Sequence, residues 1–148
     1  MCGFFAIYSD RGLKQYQKDF SKMNSLIRHR GPDDEGFVCV ELRNDKYIPC
    51  YGEETPRQVK ASNYLYSPKN YIDSLNESSF DIAFGHRRLS IIDLSPAGHQ
   101  PMSSVDGRYW IVYNGEVYNF KEIRRLLVDK GVQFQSNTDT EVVLQSYI

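Results

Sequence analysis

A cysteine stands directly behind the initiator methionine and directly ahead of a short apolar run, Gly3-Phe-Phe-Ala-Ile-Tyr-Ser9, which Asp10-Arg-Gly12 closes. A run of that length bounded by turn residues predicts a buried strand, so a thiol is fixed at the start of a strand. Cysteine is small enough for the preceding methionine to be cleaved off, which would leave Cys2 with a free α-amine. Such an amine titrates near about 7.7–8.0, close enough to neutral to take a proton from the thiol and return it to a leaving group. Thiol and base then share one residue, as in the N-terminal threonine nucleophiles. The competing reading is a small hydrophobe at a chain terminus.

Further along, Leu13, Tyr16, Phe20, Met23 and Ile27 recur at intervals of three and four and predict an amphipathic helix that ends before Gly31-Pro32. Phe37 to Leu42 reads as a strand. Residues 43–80 turn polar and irregular, with Pro49, Pro56, Pro68 and scattered tyrosines, and read as an insertion-like segment. Asp81 to Ile92 and Tyr109 to Tyr113 read as two strands joined through the loop Ser95-Pro-Ala-Gly-His-Gln-Pro101. Asn119 with Glu122 has the pattern of a capping box opening a helix that ends at Gly131, and Val132 to Gln135 reads as one more strand. Thr138 with Glu141 repeats the pattern at the start of a last helix. No stop signal follows, so the chain is expected to be a piece of something longer.

One domain is the expectation for 148 residues, and a net charge of −1 offers no field for collecting nucleic acid. No segment approaches the roughly 20 apolar residues that span a bilayer, and the N-terminus lacks a signal-peptide pattern, so a cytoplasmic chain without membrane contact is expected. Cys2, Cys39 and Cys50 are too few and too irregularly spaced for a disulfide framework or a zinc site. No metal ligand set is assigned, and Cys39 and Cys50 read as packing or surface residues.

Three further segments carry chemistry or its imitation. Val112-Tyr-Asn-Gly-Glu-Val-Tyr118 is a strong hairpin signal, with a type I′ turn at Asn114-Gly115. The same pair also suits an oxyanion site, the amide of Asn114 and the N–H of Gly115 converging where a glycine lets the backbone approach a substrate. Arg87-Arg88 reads either as strand-edge charge or as a bidentate grip on a substrate carboxylate. Asp139 either complements the dipole of the last helix or binds an α-ammonium. His29, His86 and His99 raise a Cys-His hydrolase as a rival, but none has an assignable partner.

Met1-Cys-Gly-Phe-Phe-Ala-Ile, Arg28-His-Arg-Gly-Pro-Asp-Asp-Glu-Gly36, Gly85-His-Arg-Arg-Leu-Ser-Ile-Ile-Asp-Leu94, Asn114-Gly-Glu-Val-Tyr-Asn119 and Asn137-Thr-Asp-Thr-Glu141 together resemble the glutaminase domain of glutamine-hydrolysing asparagine synthetases, which are class II glutamine amidotransferases. The resemblance runs from one end of the chain to the other. It implies an α+β N-terminal nucleophile hydrolase fold of four αββα layers, two stacked antiparallel sheets between helices, occupying residues 2–148. It implies Cys2 as nucleophile, Arg88 rather than Arg87 on the substrate carboxylate, Asn114 and Gly115 at the oxyanion, and Glu116 and Asp139 at the amino-acid head.

The implied reaction is hydrolysis of L-glutamine to glutamate and ammonia through a γ-glutamyl thioester on Cys2. In that family the ammonia passes to a C-terminal synthetase domain, absent from this chain, which uses ATP and magnesium to make asparagine; the glutaminase half itself needs no cofactor. Compact relatives have a short connection where this chain has residues 43–80, which leaves open the same chemistry feeding another acceptor, such as a sugar precursor. An inactive glutamine-binding regulatory module and an interaction protein built on the tyrosine-rich insertion are further readings, and a homodimer is compatible with the sequence. The catalytic reading requires loss of Met1, because a retained methionine blocks the amine.

Overall fold

The computed structural model describes residues 1–75 and 80–148. The apolar run behind Cys2 forms β1 (Gly3–Tyr8), which pairs antiparallel with β5 (Ile82–Arg88). β5 lies between β1 and β2 (Asp34–Glu41), and β3 (Lys46–Tyr51) and the short β4 (Asn70–Tyr71) extend the sheet to the order β1-β5-β2-β3-β4. β6 (Met102–Ser103) and β7 (Trp110–Ile111) make a separate antiparallel pair. Among the described residues four α-helices accompany the sheets: α1 (Phe20–Leu26), α2 (Arg57–Ala61), α3 (Phe120–Asp129) and α4 (Asp139–Tyr147). The architecture is α+β, as expected. The larger sheet is nevertheless mixed, because β4 joins β3 in parallel while its other pairs are antiparallel.

The core sits between α1 and the sheet, where Leu13, Phe20, Phe37, Cys39, Cys50, Ile72, Phe80 and Ala83 are buried together. The Phe5 ring lies 6.2 Å from that of Phe20 and 6.4 Å from that of Phe37, joining helix to sheet. Burying an aromatic or large aliphatic side chain contributes about 1.5–3 kcal/mol, so this cluster fixes the strand that carries Cys2 at its start. β2 is buried on both faces. At Gly36 the Gln100 carbonyl and the His99 ring occupy the space a Cβ would need, so only glycine lets the segment around residue 100 lie against the sheet.

Several expectations need correction. The helix predicted from Leu13 to Ile27 is divided: Lys14–Asp19 is a 3₁₀ segment, and only Phe20–Leu26 is α-helical. Residues 43–80, read as irregular, contribute β3, α2 and β4, with residues 76–79 outside the described part. Cys50 is therefore a buried strand residue, with Cys39 in the adjoining strand. Arg87 and Arg88 are buried in a central strand and are not edge charges.

Val132 to Gln135 is not a strand. The N–H groups of Gln135 and Ser136 go to the Glu141 carboxylate at 2.8 and 2.6 Å, and Phe134 lies under the Arg124 guanidinium. The hairpin at Asn114-Gly115 is absent too, for β7 stops at Ile111 and Gly115 does not take the left-handed backbone of a type I′ turn. Helix α3 starts where Asn119 and Glu122 place it, without a side-chain cap bond, whereas the Thr138 hydroxyl does cap α4 by accepting from the Glu141 N–H at 3.2 Å. Among the described residues, no helix is long and apolar enough to cross a membrane.

Candidate active site

Successive residues of a strand face opposite sides of its sheet, so Arg87 and Arg88 at the end of β5 part company. The β1–β5 register pairs Gly3 with Arg87 and brings Cys2 alongside the exit of β5. There the Leu89 N–H donates to the Cys2 thiol at 3.3 Å, and the Arg30 side chain donates to the Cys2 carbonyl at 3.4 Å. The Asp33 N–H donates to the Arg88 carbonyl at 3.1 Å, and the Asp33 carboxylate accepts from the Ser90 N–H at 2.8 Å. The turn after Gly31-Pro32 thus holds the backbone that holds the thiol.

Arg88 is buried, and its guanidinium donates to the backbone carbonyls of Asp93 and, at 3.2 Å, Ser95. It bends closely over Gly98, where a Cβ would collide with it. Among the described residues no carboxylate makes an ion pair with Arg88. Its loop is tied across the site by Asp93, whose carboxylate accepts from the Ser95 N–H and the Asn137 N–H, each at 2.8 Å. Burial works to raise that carboxyl, but the hydrogen bonds from Ser95 and Asn137 outweigh it and leave Asp93 below the usual carboxylate range.

Opposite, residues 112–118 run without regular structure between β7 and α3. The Tyr113 N–H donates to the Gln100 side chain at 2.7 Å, and the Val117 N–H to the Asp139 carboxylate at 3.0 Å. Between them Asn114, Gly115 and Glu116 are exposed, with the Tyr113 ring folded so closely on Gly115 that a Cβ there would lie 2.6 Å from its hydroxyl. Asp139, the first residue of α4, is buried and stands at the positive end of the helix.

These pieces enclose one cavity of about 280 Å³, and Cys2, Arg88, Asn114, Gly115, Glu116 and Asp139 all line it. The six residues that the resemblance assigned to the site therefore meet there, while Arg87, His29, His86 and His99 do not line it. The wall offers one thiol, one guanidinium without a carboxylate partner among the described residues, the carboxylates of Glu116 and Asp139 beside the already bonded one of Asp93, and the amides of Asn114, next to Gly115, and of Gln100. That set complements a zwitterionic amino acid whose side chain reaches the thiol. A glutamine amidotransferase domain is matched over residues 73–148, which include five of these six residues.

The chain belongs to the glutamine amidotransferase family.

It is 33% identical over 150 residues to glutamine-hydrolysing asparagine synthetase 1 of Bacillus subtilis strain 168, covering 99% of this chain and 17% of that protein. To asparagine synthetase B of Escherichia coli K12 it is 27% identical over 148 residues, 99% of this chain and 19% of the relative. Glutamine–fructose-6-phosphate aminotransferase of Gloeobacter violaceus is 27% identical over 145 residues, 97% of this chain and 21% of the relative. The chain thus spans about a fifth of the length of these relatives.

In this glutamine amidotransferase the histidines are not the catalytic partners a Cys-His hydrolase would need, since none lines the cavity among the described residues. His86 and His99 do have partners, contrary to the sequence reading. The His99 ring bonds the Asp34 carboxylate at 2.7 Å, and His86 Nε2 lies 3.2 Å from the Tyr113 carbonyl. Gln100, Asp93 and His86 are the site's supports that sequence reasoning missed. The available signal was weak: two of them lie in motifs that already had a use, and Gln100 stood in a loop read only as punctuation. Among the described residues, no group of three or more His, Cys, Asp or Glu side chains is placed to hold a metal.

Proposed function

We propose that this domain hydrolyses L-glutamine to glutamate and ammonia with Cys2 as nucleophile, and that the ammonia supplies an ATP-dependent asparagine synthetase domain elsewhere in the protein. The observation that carries the reading is the convergence of Cys2, Arg88, Asn114, Gly115, Glu116 and Asp139 on one cavity. Arg88 grips the substrate α-carboxylate, and Asp139 and Glu116 take the α-ammonium. The Cys2 thiolate attacks the side-chain amide carbon, forming a C–S bond and an oxyanion held by the Asn114 amide and the Gly115 N–H. As the C–N bond breaks, the α-amine of Cys2 returns the thiol's proton and ammonia leaves. Water then adds to the γ-glutamyl thioester, and its collapse releases glutamate and restores the thiol.

In the same reading the fold is the four-layer αββα arrangement of N-terminal nucleophile hydrolases, with the β6–β7 pair as the start of the second sheet. The setting is cytoplasmic. The glutaminase step draws on no cofactor, while ATP and magnesium belong to the synthetase domain. Similarity to an aminotransferase acting on fructose 6-phosphate supports a second acceptor, a sugar phosphate, but the higher identity to an asparagine synthetase favours aspartate.

Glutamate release from L-glutamine tests the reading, using protein whose intact mass confirms loss of Met1. Release is expected to be absent with L-asparagine and to fall by at least about a thousandfold in Cys2→Ala, as loss of a nucleophile does elsewhere. Release that persists in Cys2→Ala removes the mechanism, and release only in the presence of a sugar phosphate moves the acceptor.

A further inference from the structure

The stretch between β7 and α3 belongs to neither element, yet it must present the Asn114 amide and the Gly115 N–H at one point. We propose that Gln100 and His86 are positioning residues of this site, which set the two oxyanion donors by gripping the Tyr113 peptide groups from both sides. The proposal rests on the reading that Asn114 and Gly115 hold the oxyanion.

Tyr113 is held through both of its backbone polar groups. Its N–H donates to Gln100 Oε1 at 2.7 Å, and its carbonyl lies 3.2 Å from His86 Nε2. A carbonyl only accepts, so the imidazole donates and carries its proton on Nε2. Nδ1 is buried without a partner among the described residues, which suits the bare lone pair of the neutral ring. Burial pushes the His86 pKa down to about 4, so the ring is neutral across the physiological range. The grip is partly shielded from water: the His86 and Gln100 side chains are buried, although Gln100 and the half-buried Tyr113 also line the cavity. Bonds of this kind are stronger than in water, and losing one partner strands the other.

Gln100 is itself held from the far side. Its amide nitrogen donates to the Thr140 hydroxyl at 3.3 Å, one residue into α4 from Asp139, and Asp139 accepts the Val117 N–H at 3.0 Å. Residues 114–116 are thereby suspended between two fixed points, and the element bearing the proposed ammonium-binding carboxylate also fixes the donors. Removing Gln100 or His86 should displace the oxyanion donors while leaving Arg88 and Asp139 in place. Loss should then appear in turnover rather than in substrate binding.

Steady-state glutamine hydrolysis and thermal unfolding of the full chain, Met1 removed, would be measured for His86→Leu, His86→Gln, Gln100→Met and Asn114→Ala. Direct loss of an oxyanion donor costs on the order of 10²–10³ in kcat, so a displaced donor is expected to cost about tenfold to thirtyfold in His86→Leu and Gln100→Met. KM for L-glutamine stays within about twofold in both, because binding is carried by other residues. His86→Gln, whose amide nitrogen falls near the imidazole Nε2 position, recovers kcat to within about threefold. Wild-type kcat in Gln100→Met or in folded His86→Leu overturns the proposal, and so does a failure of His86→Gln to recover turnover when it folds. If His86→Leu does not fold, Gln100→Met and His86→Gln decide the matter alone. Full activity in Asn114→Ala would remove the oxyanion assignment itself, whereas its loss beside normal Gln100→Met removes only the grip.

Discussion

Two adjacent arginines at the end of one strand face two differently furnished cavities. On one side of β5, Arg87 meets the Glu35 carboxylate at 3.1 Å, that of Glu54 at 2.6 Å and the Asn24 carbonyl at 3.2 Å. The cavity there is of about 350 Å³ and is lined largely by charged and hydroxyl groups already engaged with one another. On the other side, the hydrogen-bond partners of Arg88 among the described residues are backbone carbonyls alone, and it faces a cavity with a thiol in its wall. A buried charge whose counter-charge lies inside the protein is structural. One held by neutral dipoles keeps its attraction for a carboxylate that arrives from outside, and this separates a brace from a binding group where sequence shows only Arg-Arg.

Arg87→Met puts that contrast under the greatest strain. Taking one partner from a buried pair costs about 3–5 kcal/mol, and the lower end is expected because Glu35 would still accept from the Asn24 amide and the Glu54 N–H. Urea unfolding should show a loss of about 3 kcal/mol, while KM for L-glutamine of the protein that remains folded is unchanged. A loss below about 1 kcal/mol, or a raised KM, would erase the distinction between the two sides.

Arg88 should behave the other way. A charge-assisted hydrogen bond contributes about 1.5–3 kcal/mol, so Arg88→Met is expected to raise KM for L-glutamine by about tenfold to a hundredfold. Arg88→Lys keeps the charge but loses the planar fork and should recover only part of this. Equal KM values in the wild type and Arg88→Met would show that the side chain serves its loop and not the substrate.

What the sequence made legible follows the range of the interactions involved. β1, β5 and the cap of α4 are local patterns, a bounded apolar run or a hydroxyl three residues ahead of its N–H. They form where they were read, except that β1 lies at the sheet edge with Phe4 and Tyr8 exposed instead of buried, and β5 stops at Arg88, short of Ile92. The candidate site residues were legible because each belongs to a short motif. The Asn114-Gly115 segment was misread as a hairpin because its backbone partners are the side chains of Gln100, His86 and Asp139, which lie 13, 27 and 22 residues away. β3 was missed for another reason. It carries a proline, yet β4 flanks it only from Cys50 onward, so Pro49 stands where the strand has one neighbour and needs no second set of ladder bonds. No local pattern announces such an arrangement.

The smallest effect concerns the outer, solvent-facing part of the Arg87 cluster. Hydrogen bonds from Arg28 and then Arg87 hold the Glu54 carboxyl below its ordinary value. A carboxyl depressed in the folded state stabilises the fold fully above the unfolded value of about 4.3, and that contribution is lost as pH falls toward the lower folded value. Stability should therefore decline below about pH 4.3, and Glu54→Gln should flatten that part of the curve. The Glu54 side chain is 35% exposed and that of Arg28 59%, so solvent and salt screen the pair and its share is small. Comparing the wild type with Glu54→Gln at low and at high salt isolates it. A difference that survives high salt would mean that Glu54 acts chiefly through the buried Arg87 and not through the exposed Arg28.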